Sequence, residues 1–177
     1  MAVQGPIVIT GASSGIGAAC ARYLDALGFT VWAGVRSTQD GEALTRLTSS
    51  RLRVLMLDVT DPASIEAARK TLAEATRDTG LAGLVNNAGI SVAGPLELLP
   101  LSEVRTQFEV NVIGVLAVTQ ALLPLLRLAR GRIVNISSIA GLAATPFLGA
   151  YCSSKFALEA MSDALRLELA PWGISVS

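Results

Sequence analysis

Histidine is missing from all 177 residues. That absence excludes a Ser-His-Asp triad and removes the commonest partner of cysteine in zinc sites. Cysteine is scarce, with only Cys20 and Cys152, each inside a predicted helix. Their spacing suits no metal site, and both read as small buried residues. Charge is also low. Fourteen Lys and Arg balance fourteen Asp and Glu, giving a net charge of zero. The basic residues are scattered, so no electrostatic case exists for nucleic acid or for an anionic membrane surface. Met1 to Thr10 lacks the basic start and long apolar core of a signal peptide. The expectation is a reducing, cytoplasmic setting. The most apolar stretch, Val112 to Leu126, contains Gly114, Thr119, Gln120 and Pro124. It is shorter than the ~20 residues that span a bilayer, so no transmembrane segment is expected.

What is present points to a buried parallel sheet. Hydrophobic residues make up 51% of the chain and charged residues 16%. That composition suits one domain over residues 1–177 and argues against disorder. Strands are expected at Pro6–Thr10, Thr30–Val35, Leu52–Leu57, Leu81–Val85, Arg132–Ile136 and Ile174–Ser177. Helices are expected at Ile16–Leu27, Asp40–Thr48, Pro62 to about Thr79, Ser102–Ala129 with Ser102 as N-cap, and Ala150–Ala170. A kink is expected near Pro124. Strict β-α alternation with right-handed crossovers gives an α/β, Rossmann-like, doubly wound parallel sheet.

Several stretches carry chemistry. Gly11 to Gly17 is a glycine-rich turn between the first strand and first helix, the context of a dinucleotide fingerprint, although its spacing is GxxxGxG. Such glycines let the backbone approach a pyrophosphate, and the helix N-terminus offers unpaired N–H groups. At the end of the second strand, Val35 stands where an acid would bind a ribose 2′-hydroxyl. Arg36 follows it and can pair with a 2′-phosphate, aided by Ser37 and Thr38. Asp58-Val59 and Asn86-Asn87-Ala88-Gly89 each lie at the C-terminal end of a strand, where ligands gather in open α/β sheets. Asn111 sits inside a helix. It is either a satisfied core amide or a residue that distorts the backbone or holds a water. Tyr151 and Lys155 are one helical turn apart on one face. A nearby ammonium favours a phenolate, so the pair can act as a general acid or base toward an alcohol or ketone.

TGASSGIG, Asp58-Val59, NNAG at 86–89, Asn111, NISS at 135–138 and YCSSK at 151–155 occur in the order seen in the classical short-chain dehydrogenases/reductases (SDR family). Each falls on the matching element, and the resemblance covers nearly the whole chain. It implies that Gly11, Ser13, Ser14, Gly15, Ile16 and Gly17 hold the pyrophosphate. It implies that Asp58 and Val59 meet the adenine, and that Asn87, Ala88 and Gly89 line the ribose and nicotinamide side. Asn111, Ser138, Tyr151 and Lys155 would form a catalytic tetrad. Ser138 is preferred to Ser137 because it precedes Tyr151 by the thirteen residues that the family uses. Ser138 would polarise the substrate oxygen and Tyr151 would exchange its proton. Lys155 would lower the Tyr151 pKa and bind ribose hydroxyls. Asn111 would hold a water in a proton relay. Arg36 matches NADP(H)-preferring members, while Ser14 stands where many of them carry a basic residue. NADP(H) is therefore favoured and NAD(H) remains an alternative.

The resemblance also frames substrate and assembly. Ser91–Leu96 and Ile139–Leu148 would flank the cleft with apolar walls, among them Ile139 and Phe147. A hydrophobic secondary alcohol or ketone of steroid, retinoid or fatty kind fits such walls. A 3-oxoacyl-carrier-protein reductase and a non-catalytic dinucleotide-binding module are the alternatives. Family chains continue past the sixth strand into a substrate lid, so the chain is expected to be truncated there. A homodimer or homotetramer through the two long helices is expected.

Overall fold

The computed structural model describes residues 4–177. Met1 to Val3, part of the stretch considered above for a signal peptide, lie outside the described residues. Short apolar runs form the strands β1 (Pro6–Ile9), β2 (Thr30–Val35), β3 (Leu52–Met56), β4 (Gly83–Asn86), β5 (Arg132–Asn135) and β6 (Ser175–Val176). All pairings are parallel, in the order β3-β2-β1-β4-β5-β6. The connecting helices are α1 (Gly15–Ala26), α2 (Thr38–Thr45), α3 (Pro62–Ala75), α4 (Leu101–Phe108), α5 (Gly114–Ala129) and α6 (Gly149–Leu169). Winding runs outward from β1 to β3 and then resumes at β4 on the other side of β1. The reversal opens a crevice between the C-terminal ends of β1 and β4, where ligands bind in sheets of this kind.

Period-two alternation sorts the strand side chains onto two covered faces. Ile7, Ile9, Val31, Ala33 and Val35 join Ala21 of α1 and Leu44 of α2 on one face. Val8, Trp32, Leu84 and Ile133 meet Leu72 of α3, Leu122 and Leu126 of α5 and Leu165 of α6 on the other. A buried polar relay fixes α5 and α6 to the second face. Asn86 Nδ2 donates to Thr119 Oγ1 at 3.0 Å and to Asn135 Oδ1 at 2.9 Å. Asn135 Nδ2 in turn donates to Ser162 Oγ at 2.8 Å. A hydrogen-bonded network of this kind sets helix position more sharply than apolar contact can.

The structure corrects several expectations. The long helix begins after Pro100, whose fixed φ of −58° precedes the first turn, so Ser102 is not its cap. A π turn, Glu109–Ile113, interrupts it and places the distortion at Asn111. Such one-turn π segments are frequent at functional sites. Helix α2 starts at Thr38, capped by Ser37, whose hydroxyl donates to Asp40 Oδ2 at 2.7 Å and accepts from Asp40 N at 3.2 Å. Ser37 is thus committed to the cap and is not free to serve a phosphate. The continuous helical run Leu101–Ala129 has 29 residues and is long and apolar enough to cross a membrane by length and composition. The expectation drawn from Val112–Leu126 alone missed this. Here Val115, Val118, Leu122 and Leu126 of that run are buried, and the last three belong to the sheet core.

Candidate active site

A cleft of about 1040 Å³ lies over the crevice. One end is walled by Gly11, Ser13, Ser14, Gly15 and Ile16, and beside them by Arg36, Asp58 and Val59. The other end is walled by Asn87, Ala88, Gly89, Tyr151 and Lys155. Residues spread over more than 140 positions of sequence thus meet in one space, as the motif order implied.

The glycine turn is held from behind by Asn87 and Thr10. Asn87 Nδ2 donates to the carbonyls of Thr10 and Gly11, both at 2.9 Å. Thr10 Oγ1 accepts from the N–H groups of Asn87 at 3.0 Å and Ala88 at 2.9 Å. A β-carbon on Gly17 would stand only 2.5 Å from Asn87 Nδ2, so no other residue lets α1 sit this close. Gly17 therefore lies beneath the turn rather than in the cleft wall. A β-carbon on Gly15, where φ is +55°, would meet nothing within 4 Å. Ser14 is the N-cap of α1 but makes no side-chain cap bond. The first N–H groups of α1 therefore lack a capping side chain beside open space, which fits a pyrophosphate.

Asp58 and Arg36 face each other across the adjoining wall. Thr60 donates to Asp58 Oδ1 from its N–H at 2.9 Å and from its hydroxyl at 2.7 Å. These two bonds hold the Asp58 carboxyl below its usual range, burial opposes them, and the Arg36 charge adds to the lowering. Asp58 is thus a fixed anion beside Val59 and the exposed Arg36.

At the far end, Lys155 is 6% exposed and its Nζ donates to the Ile136 carbonyl at 2.7 Å. The same nitrogen is 5.8 Å from the Tyr151 ring centroid. Burial pushes the Lys155 pKa down, and Glu159 partly offsets this. Asn111 is buried beneath the cleft floor with its amide committed. Its Oδ1 accepts from Ile90 N at 2.9 Å, and its Nδ2 donates to Ile90 O at 2.9 Å and Ser154 Oγ at 3.0 Å. Both donor hydrogens are used, so a relay water on this side chain has only the remaining lone pair of Oδ1. A β-carbon on Gly89 would lie in ordinary contact with that oxygen, at 3.4 Å, and with Lys155 Nζ, at 3.9 Å, which places the two groups around one point of the cleft wall.

Ser138 caps the short helical turn Ile139–Gly141, its hydroxyl accepting from Ala140 N at 3.2 Å. Its own proton points to no partner among the described residues. The neighbouring Ser137 lines the cleft, and its hydroxyl is buried without a partner among the described residues. Ile139 and Phe147 lie outside the cleft wall and are exposed. Phe147 takes a left-handed backbone, φ +66°, and its carbonyl accepts from Gly94 N at 2.7 Å. That conformation is strained for a bulky residue and is held by the facing loop. Sequence reasoning missed Gln107, Ser154 and the Asn86–Asn135 relay. Asn at two adjacent strand ends was the available signal for the relay.

The sequence model of the family described as short chain dehydrogenase matches residues 6–177. Retinol dehydrogenase 5 of Mus musculus is 46% identical over 172 residues, spanning 97% of this chain and 54% of its own length. The 17-beta-hydroxysteroid dehydrogenase type 6 of Homo sapiens is 47% identical over the same shares, 97% and 54%. The chain therefore spans about half the length of the curated relatives it matches. Among solved structures, a short-chain dehydrogenase from Streptomyces avermitilis superposes with a TM-score of 0.92 at 36% identity, covering 99% of this chain and 64% of that one. A gluconate 5-dehydrogenase from Burkholderia cenocepacia, in complex with NADP and tartrate, gives 0.88 at 27% identity and covers 97% and 68%. An NAD+-bound xylitol dehydrogenase gives 0.91 at 26% identity and covers 98% and 68%. With its glycine turn, its Tyr151–Lys155 pair and a family match running from Pro6 to the last residue, this chain belongs to the short-chain dehydrogenases.

Proposed function

We propose that the protein is an NADP(H)-dependent oxidoreductase that interconverts a hydrophobic alcohol and its carbonyl. One observation carries this reading: Tyr151 and Lys155 stand at one end of the same cleft whose other end is the glycine turn with Arg36. The glycine turn and the α1 N-terminus would hold the pyrophosphate, Asp58 and Val59 the adenine, and Asn87 to Gly89 the ribose and nicotinamide. The bound nicotinamide supplies or accepts the hydride. Tyr151 exchanges the proton on the substrate oxygen, with the Lys155 ammonium 5.8 Å from its ring centroid. Ser138, or the cleft-lining Ser137, donates a hydrogen bond to that oxygen as charge grows on it. The retinol and hydroxysteroid relatives support an apolar substrate. A retinoid, steroid and 3-oxoacyl panel, followed by absorbance of the reduced nicotinamide, tests the reading. Turnover of the first two classes supports it. Turnover of the 3-oxoacyl thioester alone would replace the substrate class.

The preference for NADP(H) rests on Arg36. Arg36→Ala should weaken NADPH binding by about ten- to hundredfold and leave NADH nearly unchanged, since a hydrogen bond to a charged group is lost only with the former. Equal losses for both cofactors would remove the 2′-phosphate from this residue. A reducing, cytoplasmic location fits the two free cysteines. Association through the outer faces of α5 and α6 fits the exposed Leu128, Phe156 and Leu167. Light scattering should then give two or four times the 18.3 kDa chain mass, whereas a monomer would contradict it.

A further inference from the structure

Gln107 is the only glutamine that the fold buries completely among the described residues, at 0% exposure on α4. Its Oε1 accepts the N–H of Val92 at 2.5 Å, and its Nε2 has no partner among the described residues. Four residues on, across the start of the π turn, Asn111 grips Ile90 through both its N–H and its carbonyl. Successive turns of one helix thus hold alternate amides of one segment. Gly89, Ile90 and Ser91 of that segment form cleft wall beside Tyr151 and Lys155.

We propose that Gln107 is a positioning residue, pinning Val92 so that the Gly89–Val92 segment keeps the shape required by the nicotinamide half of the cofactor. The inference rests on the cofactor reading given above. It does not involve the adenine end, which is built from Arg36, Asp58 and Val59 on other elements. Only the Oε1 acceptor of Gln107 is engaged, so a residue that keeps an acceptor there should preserve the function. Gln107→Glu meets that condition: a buried carboxyl is driven toward its neutral form and still accepts from Val92. Gln107→Met keeps the length and volume but leaves the Val92 N–H unpaired.

The test compares two ligands on the full chain by calorimetry: NADPH, and 2′-phospho-ADP-ribose, which lacks the nicotinamide. For Gln107→Met, the NADPH dissociation constant should rise about tenfold while that of 2′-phospho-ADP-ribose stays within about twofold. Gln107→Glu should bind NADPH like the wild type. Should Gln107→Met fail to fold, Val92→Pro deletes the same bond from the loop side and should show the same split. Equal weakening of both ligands, no weakening of either, or failure of Gln107→Glu to restore NADPH binding would each overturn the proposal. A wild-type chain that binds neither ligand would overturn the cofactor reading, and this inference with it.

Discussion

Tyr151→Phe should lower turnover by about 10²–10⁴-fold, the usual contribution of a positioned acid or base. The substitution removes one hydroxyl and keeps the ring that packs near Lys155 Nζ, 5.8 Å from its centroid. The glycine turn, Arg36 and Asp58 are untouched, so NADPH affinity should change by less than about threefold, well below the energy of a lost charged hydrogen bond. Loss of kcat with retained binding separates an enzyme from a dinucleotide-binding module, which needs no proton donor. Steady-state rates on the active substrate, paired with a titration of each variant, measure both quantities. Unchanged turnover in Tyr151→Phe would remove this residue from the chemistry.

Lys155→Met should be as damaging to turnover, about 10²–10⁴-fold, and should also weaken the cofactor. Its ammonium is held at the Ile136 carbonyl, 2.7 Å away, inside a site where burial pushes its pKa down. That direction has a stability signature. The lysine binds its proton less tightly in the folded chain than in the unfolded one, whose value is about 10.4. The penalty for burying the charge is fully present below the lowered folded pKa. It is relieved as pH rises through that value toward the unfolded one. Wild-type stability should therefore improve relative to Lys155→Met as the pH is raised from neutral toward about 10. Thermal melts of the two proteins across that range check the sign, and a wild type that loses stability relative to Lys155→Met as the pH rises would contradict the burial account.

Much of the fold was legible because its signals are local. Glycine follows β1, Asp61 and Pro62 start α3, and alternating apolar residues mark strands covered on both faces. The cleft residues Gly11, Ser13, Ser14, Gly15, Ile16, Arg36, Asp58, Val59 and the Tyr151–Lys155 pair were legible for the same reason, each standing at the C-terminal end of a strand or in the helix start nearby. What stayed hidden depends on pairs of residues distant in sequence. Asn111 stays open between a satisfied core amide and a helix distortion until Ile90, twenty-one positions earlier, supplies its partners. Gln107 carries no signal in the sequence, because its partner, the Val92 N–H, stands fifteen positions away. Ser37 looks free to bind phosphate until Asp40 turns it into a cap. The start of α4 was misplaced because Pro100, with its fixed φ, competes with the capping propensity of Ser102.

A calorimetric titration of the 177-residue chain with NADPH, beside one with NADH, tests the central claim most directly. The account predicts one site per chain with NADPH bound at least about tenfold more tightly, as a charged contact at Arg36 requires. Absence of binding by both cofactors would contradict it, because the glycine turn, the free α1 N-terminus and the open space at Gly15 would then hold no pyrophosphate.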